Sequence, residues 1–226
     1  VPNGSLKLYG SVWGGLITAL LMGLSPAVAQ ALPNGTWLSK PQIWFHSANN
    51  TLDQVMARIQ GQRYRYVFLD FRNVSDRDQQ RVVQAARRYQ LVPIVWVQSP
   101  QYRRLTIEQI IHEARHADGV QVDDHFFANY SLQDFQVLRS QYQKLVFCSI
   151  QPFQAGLVPP WGCNQLDVQC YVAQSFSQCM GLANRLKSVV SLSSTSTLIY
   201  QHRLNGQLFN VFLWPHSDEY LAQTTP

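Results

Sequence analysis

Charge is scarce in this sequence, and acidic charge most of all. Charged residues make up 14% of the 226, with 13 Asp and Glu against 18 Lys and Arg. Glu108, Glu113 and Glu219 are the only glutamates, so carboxylate chemistry must rest on aspartate. No basic run exceeds two residues (Arg87-Arg88, Arg103-Arg104). The net charge of +5 therefore lacks the dense patch of a nucleic-acid binder, and no nucleic acid is expected as a partner. Twelve Gly and eleven Pro are spread thinly, which excludes collagen-like and low-complexity chains. No Cys-x-x-Cys pair suggests a zinc site. No Gly-rich phosphate loop follows an early apolar run, which argues against a dinucleotide-binding sheet.

What is present is apolar and evenly distributed. Hydrophobic residues reach 46%, enough to bury a large core in one domain, yet polar residues interrupt them too often for a membrane bundle. The N-terminus reads as an export signal spanning residues 1–31. Lys7 is its only charge, Val12–Leu24 is a short apolar run, Ser25-Pro26 breaks it, and Ala27-Val28-Ala29-Gln30-Ala31 offers small-x-small cleavage sites. The expectation is a periplasmic or extracellular protein with no stable membrane span after cleavage. In that setting Cys148, Cys163, Cys170 and Cys179 allow two disulfides in three connectivities, and Cys163 with Cys170 is the favoured pair.

From residue 41 to 216 a strand–helix rhythm dominates. Apolar runs begin at Ile43, Tyr66, Pro93, Gly119, Leu145, Gln169 and Thr197, near-regular steps that fit one strand, one helix and two loops. Between them lie helical patterns: Leu52, Val55, Met56 and Ile59 on one face, and capped segments opening at Ser75, Thr106 and Ser131. Residues 177–192 read as a further helix. The expected fold class is an α/β, (β/α)8 TIM barrel, lean or incomplete at its C-terminal end. The eighth run, Phe209–Pro215, follows the seventh so closely, across Asn205-Gly206, that three outcomes stay open: an antiparallel strand, a short helix, or an unclosed barrel.

In such a barrel the chemistry gathers where strands end. The residues after each run are His46, Asp70, Gln98, Asp123-Asp124-His125, Gln151, Gln174 and Gln201-His202, with Trp214 ending the last run and Arg72 and Trp96 nearby. Amides, carboxylates and aromatic faces together suit a sugar, although 26 Gln in the chain make some of this alignment expected by composition. The stretch from Asp118 to Phe127, Asp-Gly-Val-Gln-Val-Asp-Asp-His-Phe-Phe, resembles the fourth-strand signature of TIM-barrel glycoside hydrolases. It is similar to bacterial "family 10 glycosyl hydrolase-like" proteins and, more distantly, to family 18 chitinases. Gln121 and His125 depart from the chitinase pattern, where an acid stands at both places. The resemblance implies that Asp123 and Asp124 are active-site carboxylates. Hydrolysis would pair Asp123 with Asp70 or Asp124, without a cofactor or metal. His46, Arg72, Trp96, Gln98, His125, Gln151, Gln174, Gln201 and Trp214 would then bind a polysaccharide or cell-wall glycan. Two rivals are a non-catalytic glycan-binding barrel and a zinc peptidase built on His112, Glu113 and His116, whose spacing is His-Glu-x-x-His.

Overall fold

The computed structural model describes residues 35–62, 64–97, 105–159, 162–170, 175–193 and 211–214, with the backbone alone at 192–193 and 211–214. Residues 1–34 lie outside the described residues. The expected signal segment falls there.

Eight strands run parallel in chain order: β1 (Gly35–Leu38), β2 (Tyr66–Leu69), β3 (Val92–Val97), β4 (Gly119–Val122), β5 (Leu145–Ile150), β6 (Gln165–Gln169), β7 (Val189–Ser193) and β8 (Val211–Trp214). β8 pairs with both β7 and β1, which closes the sheet into a barrel. Around it lie α1 (Lys40–Ala48), α2 (Leu52–Gly61), α3 (Asp76–Arg88), α4 (Ile107–Glu113), α5 (Asp124–Asn129), α6 (Leu132–Gln141) and α7 (Phe176–Leu186). β5 is followed by a 3-10 turn, Pro152–Leu157, and the β7–β8 connection lies outside the described residues. The chain is thus a parallel α/β barrel.

Two layers of apolar packing hold it. Outward-facing Val67, Leu69, Val95, Val120, Val122 and Val146 meet the helix faces, including Leu52, Val55, Met56 and Ile59 of α2 and Val82 and Val83 of α3. Inside the barrel Trp37, Phe68, Ile94, Phe147 and Val189 form a plug. The caps foreseen at Ser75, Thr106 and Ser131 each accept a hydrogen bond from the backbone N–H three residues on.

Several expectations are corrected. Ile43-Trp44-Phe45 is not a strand but part of α1. Ser39 and Gln42 form a capping box around Pro41, and Trp44 and Phe45 are 75% and 60% exposed, so only Ile43 faces the core. The barrel begins instead at Gly35, ahead of the expected boundary at 41. β6 lies four residues earlier than expected. α7 ends at Leu186, where Lys187 adopts a left-handed conformation (φ 51°), and residues 189–193 form β7 where helix was expected. The run at 197–200 lies outside the described residues. β8 enters parallel to β7 rather than as a hairpin arm. The disulfides are Cys148–Cys163 and Cys170–Cys179. Cys163 and Cys170 flank β6, and an extended five-residue strand holds them too far apart to bond.

Candidate active site

The site grows from strand alternation. Every second residue of a barrel strand points inward, and on β4, β5, β6 and β7 the upper inward positions are polar. Gln121 and then Asp123 follow Gly119; Ser149 and Gln151 follow Phe147; Asp167 and Gln169 follow Gln165; Ser191 follows Val189. Gln121, Asp123, Ser149, Asp167, Gln169 and Ser191 are all buried. They face one another across the barrel above the aromatic plug.

At the rim, Asp123 caps α5. Its Oδ1 accepts the His125 backbone N–H at 3.0 Å and its Oδ2 accepts the Trp96 indole N–H at 3.2 Å. Burial, and next the charge of Asp124, push the Asp123 carboxyl up to about 6; His125 and the Trp96 bond pull the other way. Asp124 opens α5 one residue later. Gln151 donates to its Oδ2 at 2.7 Å and Gln169 to its Oδ1 at 3.0 Å, while Gln154 donates to its backbone carbonyl at 2.9 Å. Because the strand ends at Val122, both carboxyl groups stay on the rim even though they are adjacent in sequence.

Asp70 ends β2 fully buried and is committed to Arg72, which donates through Nε (2.7 Å) and Nη2 (2.5 Å). The Arg72 guanidinium is half-exposed. Its bond to Asp70, with further pull from the charges of Asp70 and Asp123, holds its proton more tightly than usual. Asp70, Arg72, Trp96, Asp123, Asp124, His125 and Gln151 are thus gathered at one end of the barrel. His46 is not at a strand end: it sits in the last turn of α1 with its Nδ1 against Thr51 Oγ1 at 2.8 Å. Gln98, Gln174, Gln201 and His202 lie outside the described residues, as does the side chain of Trp214, whose backbone ends β8.

Below the rim, Asp167 is 1% exposed. Gln121 donates to its Oδ1 (3.2 Å), and Ser149 (2.8 Å) and Ser191 donate to its Oδ2. Burial pushes it up to about 7 against those three donors. This inner group escapes a reading that takes each strand as an unbroken apolar run and weighs only the residue after it. The period-two pattern Phe147-x-Ser149-x-Gln151 and Gln165-x-Asp167-x-Gln169 was the available signal.

Among the described residues, Asp123, Asp124 and His125 alone bring three His, Cys, Asp or Glu ligand atoms within 4.8 Å, a spacing a cation can bridge. All four of their carboxylate oxygens already accept an N–H, so the set reads first as a proton-handling pair. The zinc reading at His112, Glu113 and His116 is overturned. α4 ends at Glu113, and the His116 ring is bonded to Asp76 Oδ1 at 2.7 Å on the outside of the barrel.

No protein-family model matches the chain, and no curated protein matches it. Solved structures do. A HpcH/HpaI aldolase/citrate lyase family protein from Burkholderia cenocepacia is 12% identical, with a TM-score of 0.51 over 84% of this chain and 89% of its own. Deoxyribose phosphate aldolase from Aeropyrum pernix is 12% identical, with a TM-score of 0.54 over 85% and 89%. A truncated 3-deoxy-D-arabino-heptulosonate 7-phosphate synthase from Thermotoga maritima is 9% identical, with a TM-score of 0.55 over 84% and 78%. At such identities the likeness shows the barrel fold. The expected kinship with glycoside hydrolases is corrected: these three similar structures are an aldolase/citrate lyase family protein, an aldolase and a synthase. The hydrolytic role for Asp70, the polysaccharide partner and the glycan-binding rival go with it. Asp70 is locked into a two-bond pair with Arg72 rather than poised across a glycosidic bond.

Proposed function

We propose that the protein is an enzyme acting on a small anionic carbonyl compound, moving a proton at the carbon beside the carbonyl. Carbon–carbon bond cleavage or formation of the aldolase or lyase type is the reaction class. Asp123 is the proton carrier. Arg72 anchors a carboxylate or phosphate of the substrate, since its Nε and Nη2 serve Asp70 and a guanidinium has further N–H donors to offer. Asp124, held by two glutamine amides, keeps the Asp123 proton from leaving too readily. The observation that carries this reading is the burial of Asp123 beside Asp124, which sets its carboxyl near 6, where an acid can both take and return a proton close to neutral pH. The names of the similar structures favour the same class.

The test is α-proton exchange. Small 2-oxo acids and phosphorylated aldehydes are incubated with the protein in D2O, with and without Mg2+ or Mn2+, and loss of the α-proton is followed by 1H NMR. Exchange by the wild type, with an inflection near pH 6 and loss of at least 100-fold in Asp123→Asn, is the expected result. Equal rates in the two proteins remove the proposal. Two further parts of the reading are that the protein is exported, which its two disulfides favour, and that the fold is a (β/α)8 TIM barrel, which the pairing of β8 with both β7 and β1 favours.

A further inference from the structure

We propose that Asp167, deep in the barrel, is a positioning residue that acts through Ser149 and Gln169 to present an N–H, rather than a carbonyl, to Asp124. The chain of contacts is continuous. Ser149 donates its single hydroxyl proton to Asp167 Oδ2 at 2.8 Å. Its oxygen is then left as an acceptor, and Gln169 Nε2 donates to it at 3.1 Å. The second hydrogen of the same Nε2 goes to Asp124 Oδ1 at 3.0 Å. Turned over, the Gln169 amide would set its carbonyl oxygen against a carboxylate and against the lone pairs of Ser149.

The far end of the chain is anchored by a group with no choice. The Trp37 indole can only donate, and it gives its N–H to Gln121 Oε1 at 2.8 Å. That leaves Gln121 Nε2 pointing at Asp167 Oδ1 at 3.2 Å. Ionised, Asp167 only accepts, from Gln121, Ser149 and Ser191, and this acceptor at the centre sets the direction of the Gln121 and Ser149 bonds and, through Ser149, of the Gln169 amide. Neutral Asn at 167 breaks the order. Its amide either meets the Gln121 amide donor to donor, or forces the Ser149 proton toward Gln169 and turns that amide over. Ser191 also donates to Asp167 Oδ2 but has no bond to Gln169, which makes it the control.

The inference rests on the proposed function only in treating Asp124 as part of a reacting rim, and its test needs no substrate. The Gln169 side-chain amide is followed by 1H–15N NMR on the full chain, identified by its loss in Gln169→Met. Slow solvent exchange is expected in the wild type, with acceleration of at least tenfold in Asp167→Asn and less than twofold in Ser191→Ala. Unchanged exchange in a folded Asp167→Asn overturns the inference. If that variant does not fold, Ser149→Ala against Ser191→Ala decides: tenfold against less than twofold supports the relay, and equal acceleration overturns it. In the α-proton exchange assay, a folded Asp167→Asn is expected to lower turnover more than tenfold while substrate KM changes less than threefold.

Discussion

The two sides of the barrel are held together differently. From β1 to β4 the sheet is covered by helices with broad apolar faces, α2 and α3 above all, and no cysteine occurs there. From β5 to β7 the cover is thinner: a 3-10 turn stands where a helix would follow β5, and two disulfides tie β6 to its neighbours. The site straddles the boundary. Asp123 is bonded by Trp96 of β3, whereas Asp124 is bonded by Gln151 after β5 and Gln169 of β6. Covalent ties thus replace helix packing where the Asp124 partners sit. Two adjacent aspartates acquire different surroundings because each belongs to a different side.

The largest test of this contrast is removal of both disulfides, by Cys148→Ala with Cys163→Ala and Cys170→Ala with Cys179→Ala. Each bridge is worth roughly 2–4 kcal/mol. Scanning calorimetry should show the combined loss, and hydrogen exchange should open β5–β7 while β2–β4 stay protected; uniform opening would erase the distinction between the two sides. Phe68→Ala, in the plug shared by both, should cost about 3–5 kcal/mol and lower protection everywhere, as chemical denaturation with exchange would report.

Asp123→Asn sharpens the comparison at the site. The folded carboxyl titrates near 6, above its ordinary value of 3.8, so the native state holds this proton more tightly than the unfolded chain. The stabilisation is complete below the ordinary value and is lost as pH rises through 6. Asn keeps the cap on α5 but sets its amide N–H against the Trp96 indole N–H, so the variant should be less stable than the wild type at pH 4 and should lack the decline, which in the wild type amounts to about 3 kcal/mol between pH 4 and 8. Melting curves from pH 4 to 8 check it. The smallest effect is expected at Ser75→Ala, where the lost cap of α3 costs about 1 kcal/mol and leaves both rim aspartates unmoved.

Strands β2 to β5 were legible in the sequence because their runs are buried on both faces and bounded by capped helices. β1 was not: Gly35–Leu38 is short and ordinary, while the more apolar Ile43-Trp44-Phe45 drew the assignment although two of its three residues face solvent. β6 and β7 were misplaced because their inward residues are Asp, Gln and Ser, which break an apolar run without breaking a strand. Asp70, Asp123, Asp124 and Gln151 were found as strand-end residues. Asp167 was not, since a buried carboxylate reads as a surface residue until its three donors are seen.

By itself the sequence determined much of the strand–helix alternation, the caps and the positions of Asp70, Asp123, Asp124 and Gln151 just after strands, because these follow from local spacing and side-chain type. Only the tertiary structure decided which cysteines meet, that Asp70 belongs to Arg72, and that Asp167 lies under Asp124. Each of these depends on the register and closure of parallel strands, which brings together residues from strands far apart in the chain.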